Sequence, residues 1–189
     1  MNKGIAILLV TMSVISCSRQ EENAEPQPAH AITQSGATGS VAGLAWQIPE
    51  RWTMGPEKAM RVATYMSPPS SGDSEGGECA VFYFGSGEGG DVEANINRWV
   101  GQFEPDGEPA RTMLTVENMS VHYLDLTGTY LASTGPMMGP KERKEGFRLL
   151  GAIVGGPQGS VFFKMTGPSA TVGDAQGEFQ SMIESLSSR

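Results

Sequence analysis

The chain has 189 residues, with 13 lysines and arginines against 21 aspartates and glutamates, so its formal net charge is −8 at pH 7. A body that acidic repels the phosphates of nucleic acid and of anionic lipid, which excludes both as partners for its bare protein surface. Its two cysteines, Cys17 and Cys79, can form at most one disulfide, so stability has to come from a packed core.

The first segment, "MNKGIAILLVTMSVISCSRQ", carries one lysine and then an apolar run over residues 4–15 that ends at Ser16 and Cys17. This is the pattern of an export signal. A membrane-spanning helix needs about 20 apolar residues, and this run is shorter and is followed at once by charged residues. Val14, Ile15, Ser16 and Cys17 resemble the lipobox of bacterial lipoproteins, in which an apolar residue stands two places before a small residue and the small residue precedes an obligatory cysteine. The resemblance implies cleavage by signal peptidase II before Cys17, removal of residues 1–16, diacylation of the Cys17 thiol with palmitate-type chains, and anchoring at the cell envelope. Ser18 in place of a retention aspartate implies outer-membrane sorting, on the periplasmic face, in a Gram-negative cell. Cleavage would remove Lys3 and leave the remainder more acidic still. With Cys17 acylated, Cys79 has no internal partner, and attachment to the bilayer rests on the lipid, for which several chains are required.

Residues 17–43 are polar, small and proline-dotted and read as a flexible tether. The globular domain is expected over residues 44–189, long enough for one core of ordinary size. "LAWQI" and "MRVATYM" read as strands. In "ECAVFYF" both alternating sets are largely apolar, Cys79, Val81 and Tyr83 against Ala80, Phe82 and Phe84, as in a strand covered on both faces. "RTMLTVE", "SVHYLDLTGTY", "FRLLGAIV" and "SVFFKMT" complete about seven strands, with short turns such as "GGPQG" that suit antiparallel neighbours.

Two helices are predicted on one template. Val92, Ile96, Trp99, Val100 and Phe103 fall at i, i+4, i+7, i+8 and i+11, as do Ala175, Phe179, Met182, Ile183 and Leu186. Each set makes one apolar stripe, and Asp91 and Asp174 stand at the expected N-caps. A sheet buried on both faces and two one-sided helices predict an α+β fold, a three-layer α/β/α sandwich around an antiparallel sheet. This order, with an aromatic strand, Pro49 and Trp52 in "LAWQIPERW" and the closing "EFQSMIESL", resembles the PsbP-like superfamily over residues 44–188. The resemblance implies a non-catalytic binding or assembly role.

Gly85, Gly87 and Gly90 spell G-x-G-x-x-G after a strand, the pattern of a dinucleotide loop. A pyrophosphate site needs a parallel β-α-β unit and a free helix N-terminus. Glu88, Asp91 and Glu93 crowd this turn instead, so it is read as a connection. His122 and His30 are too far apart to share a metal site, and Asp125 lies across the pleat from His122. No nucleophile elbow of G-x-S-x-G type occurs. Cys79 is expected to be buried and inert. Asp73, Glu75 and Glu78, and Glu104, Asp106 and Glu108, offer oxygen ligands without the twelve-residue calcium-loop pattern and read as solvated turns. No cofactor, metal site or catalytic residue is expected.

The segment "LASTGPMMGPKERKEG" is expected to be a loop, with Met137 and Met138 as an apolar tip and Lys141, Arg143, Lys144 and Arg148 as a basic rim. The expectation is a lipid-anchored envelope protein whose domain binds an envelope protein partner through this loop. The alternative is a domain that binds a small ligand or calcium.

Overall fold

The computed structural model describes Met1, residues 36–133 and residues 141–189. Chain contacts cluster into two units, Met1–Ile32 and Thr33–Arg189, and every element below lies in the second. Val14, Ile15, Ser16 and Cys17, and Met137 and Met138, fall outside the described residues.

In chain order the elements are β1 (Thr38–Val41), β2 (Leu44–Gln47), β3 (Thr53–Met54), β4 (Ala63–Ser67), β5 (Gly77–Tyr83), α1 (Val92–Val100), β6 (Phe103–Pro105), β7 (Ala110–Val116), β8 (Met119–Ser133), β9 (Lys141–Gly156), β10 (Gly159–Pro168), α2 (Ser169–Asp174), α3 (Gln176–Glu184) and β11 (Ser187–Ser188). The main sheet runs β3-β4-β5-β10-β9-β8-β6, with β7 pairing beside β6 on β8, and β1-β2-β11 form a smaller sheet. All pairings are antiparallel.

The double-sided apolar strands do cover both faces. On one face α2 and α3 add Val172, Phe179, Met182 and Ile183 to Val81, Phe163 and Leu150. Trp46 of β2 joins that layer, its ring edge-on to Phe163 at 5.1 Å and its indole N–H donating to Tyr65 Oη at 3.1 Å. On the opposite face α1 seats Ile96 and Trp99 on Leu149, Ile153 and Phe162. Trp99 lies directly on Gly151, where a Cβ would come within 2.5 Å of the ring, so glycine sets the depth of the helix. The Pro49 and Trp52 motif has a structural task. Trp52 N–H donates to Pro49 C=O at 3.0 Å, and its indole N–H donates to Glu178 Oε2 at 2.9 Å on α3, where Arg51 forms a two-pronged ion pair with the same carboxylate.

Three expectations change. Residues 38–41, expected within the tether over residues 17–43, form β1, because Thr38–Val41 find backbone partners on β2 that the polar sequence does not advertise. Asp91 caps α1, accepting from Ala94 N–H at 2.7 Å, but Asp174 ends α2 instead of starting a helix. The helical turn begins straight after Pro168, and its exposed amides are met from afar: Asp73 Oδ2 accepts from Thr171 N–H at 3.0 Å and from Thr171 Oγ1 at 2.6 Å. Finally, of the loop expected over residues 131–146, the described residues at its two ends pair as a two-stranded ribbon, with Leu131, Ala132 and Ser133 in register with Arg143, Glu142 and Lys141. Backbone pairing prolongs the strands beyond the apolar pattern that announces them.

Candidate functional site

The residues singled out for chemistry separate. The G-x-G-x-x-G segment follows β5, whose neighbours are both antiparallel, and the Asp91 carboxylate already sits on the α1 amides. His122 is half-buried in register with Ile153 and Met113, while Asp125 turns to the other face and holds Arg148 at 2.8 and 2.6 Å. Cys79 is buried, and burial pushes its thiol far up. Among the described residues, no group of three His, Cys, Asp or Glu is placed to hold a metal ion. The first acidic loop is used internally: Asp73 caps α2, Glu75 meets Lys144 at 2.9 Å, and Glu78 meets Lys58 at 2.5 Å and Arg61 at 2.9 Å.

Lys141, Arg143 and Lys144 open β9. Lys141 is exposed. Arg143 grips Glu104 with both guanidinium nitrogens, the Nη2 to Oε2 contact being 2.6 Å, so part of the expected basic rim is neutralised on the spot.

Lys144 leads to a groove that sequence reasoning missed. The groove encloses about 360 Å³. Its floor is the sheet face beside α1, made by Ala80 and Phe82 of β5, Lys164 and Thr166 of β10, Phe147 of β9 and Tyr130 of β8. Strand alternation explains most of this set, since Lys164 is in register with Ala80 and Thr166 with Glu78. A β-bulge explains the rest. Gly128 pairs with Phe147 and Tyr130 with Lys144, so Thr129 alone faces Glu145 and Gly146, and Gly146 takes φ +65. The extra residue reverses the parity of β9 and brings Lys144 to the face that Phe147 occupies. There its ammonium lies 5.2 Å from the Phe147 ring centroid, and Phe147 stacks on Tyr130 at 5.9 Å.

Cations outnumber carboxylates here. Lys58, Arg61, Lys144 and Lys164 line the groove with only Glu75 and Glu78 opposed to them, in a chain of net charge −8. Arg61 also lies over Phe82, 5.8 Å from its centroid. Burial raises the Glu78 carboxyl, but hydrogen bonds from Arg61 and Lys58 outweigh it and hold the group below its ordinary range. Lys164 differs from the other three. It is half-buried on a central strand, it donates to the neutral Gln102 Oε1, and its ammonium sits 5.5 Å from the Tyr130 ring centroid. Burial pulls it down to about 8, with repulsion from Arg61 and Arg98 adding and Glu78 opposing. A smaller cavity of about 260 Å³ beside Trp99 shares Phe82 and Lys164 with the groove. The available signal was the lysine in "SVFFKMT", a lone charge inside a run whose neighbours are apolar on both faces.

No protein family and no curated protein matches the chain. Solved structures do. The solution structure of cyanobacterial PsbP (CyanoP) from Synechocystis is 10% identical, with a TM-score of 0.53 over 88% of this chain and 99% of that one. A Bacteroides thetaiotaomicron protein is 13% identical with a TM-score of 0.45, covering 82% of this chain and 48% of its own. A Pseudomonas aeruginosa protein of unknown function is 12% identical with a TM-score of 0.45, covering 82% and 97%. The likeness to the cyanobacterial protein concerns the fold: this chain has a PsbP-like sandwich, an antiparallel sheet with helices on both faces.

Proposed function

We propose that this chain is a bacterial envelope lipoprotein, held on the membrane by lipid at Cys17, whose PsbP-like domain binds a protein partner and catalyses nothing. Residues 14–17 support the anchor. The observation that carries the binding role is the groove: it opens at the root of the β8–β9 ribbon, where Tyr130, Ala132 and Lys144 line it. Partner contact is assigned to Met137, Met138 and the exposed Lys141, with Arg143 and Lys144 shaping the base of the ribbon through their ion pairs. A Gram-negative source would place the protein on the periplasmic face of the outer membrane.

A photo-crosslinking residue at position 141, in cells, is expected to trap one dominant protein, and the same residue at position 117 on the β7–β8 turn is expected to trap none. Equal labelling from both positions, or none from 141, removes the partner reading. Metabolic labelling with an alkyne fatty acid tests the anchor, since C17S should lose all label.

The groove also favours a second reading, a domain for a small ligand. Calcium is not favoured at the first acidic loop, because Asp73, Glu75 and Glu78 are each engaged by a protein donor.

A further inference from the structure

We propose that the groove centred on Lys164 binds a small organic anion, a carboxylate carried on a flat apolar group. Burying an ammonium costs several kcal/mol unless a counter-charge or good hydrogen bonds compensate it. Three of the four groove cations have that compensation from Glu75 or Glu78. Lys164 has a neutral amide for one of its three donors and an aromatic face beside it. A methionine would fill the same space on the strand without that cost, so the charge at this position is unexplained by packing. One negative charge placed against Lys164 would supply the missing compensation and bring the groove, four cations against two carboxylates, closer to balance.

Shape selects among anions. A cavity of about 360 Å³ falls at the lower end of the roughly 300–1,000 Å³ typical of small-molecule sites. Phe82, Tyr130 and Phe147 give it flat apolar walls, so a ring can lie against them while its carboxylate meets Lys164. A bare inorganic anion would leave these walls unused. The net negative charge of the chain repels anions at a distance, whereas the groove presents a local excess of positive charge.

The charged and titratable groups around Lys164 are Lys58 and Arg61 before β4, Glu75 before β5, Glu78 on β5, Arg98 on α1, Tyr130 on β8 and Lys144 on β9. Glu78 is held below its ordinary range and Tyr130 is pushed above its own by burial, so neither changes charge between pH 7 and 9. Lys164 does, at about 8. An anion beside it favours the charged form, so binding is complete below that value and weakens as pH rises through it, by up to about tenfold per unit.

The test is a titration of the intact, detergent-solubilised protein with benzoate, which stays ionised throughout, and with benzamide and acetate as the neutral and ringless controls. Carbon-13 resonances of labelled lysine side chains provide the readout. Benzoate is expected to bind, to raise the Lys164 midpoint by one unit or more, and to weaken about tenfold between pH 7 and 9; K164Q should bind at least tenfold more weakly at pH 7 and show no such pH break. Benzamide and acetate should each bind at least tenfold more weakly than benzoate. The proposal is overturned if benzoate does not bind, if benzamide equals it, or if K164Q retains the affinity. Should K164Q not fold, an unmoved Lys164 midpoint in the unsubstituted protein overturns it equally. The outcome is independent of crosslinking at position 141, so the two readings stand or fall separately.

Discussion

The two faces of the main sheet are built for different purposes. Among the described residues, the face under α2 and α3 holds a cluster of twenty buried residues, against nine under α1. The first face is closed by two helices and the small sheet. The second has the nine-residue helix α1, and beside that helix Lys164 and Lys144 of the sheet, with Arg61 from the segment before β4, stand among aromatic rings. Apolar burial is concentrated on one face of the sheet, and the other face carries a polar groove.

Breaking the closed face should have the largest effect. F163A removes a fully buried ring that touches Trp46, and about 3–5 kcal/mol of unfolding free energy should be lost, measured by denaturant titration. The groove side should respond with the opposite sign. Because Lys164 titrates below its unfolded value, the unfolded chain binds more protons between about 8 and the ordinary lysine value, so stability rises with pH across that window. K164M should therefore stabilise the protein at pH 7, by about 2 kcal/mol, and flatten that rise. A destabilised K164M with an unchanged pH profile would erase the distinction between the faces. D73A tests a long-range support of the closed face: it strips the carboxylate from the amide of Thr171 at the start of α2, and about 1 kcal/mol should be lost in thermal melts. The smallest effect is expected at the ribbon, where Arg143 and Glu104 are both more than half exposed. R143Q should leave the melting midpoint within error.

Much of the sandwich could be read along the chain. Strands such as "ECAVFYF" announced burial on both faces because side chains alternate with period two and both sets are apolar. The α1 stripe from Val92 to Val100 and its Asp91 cap are local features and lie where expected, whereas Phe103, read as the last residue of the stripe, opens β6 after the helix has ended at Gly101. Elements that depend on distant partners were not legible. β1 is a polar stretch ordered by β2, and α2 takes its cap from Asp73, nearly a hundred residues away. The groove was hidden for the same reason: Lys144 and Phe147 stand three apart, a spacing that a regular strand sends to opposite faces, and only the bulge at Gly146 unites them.

The order of residues alone established an acidic chain and a domain whose apolar periodicities demand a sheet covered on both sides. These are properties of neighbours along the backbone, set by charge, segment length and the repeat of helix and strand. Which cations face one another, which carboxylates are already engaged, and that Lys164 has an amide in place of a counter-ion were decided by tertiary structure. Those facts depend on register and on a bulge, and a shift of one residue would turn the same side chains to the opposite face.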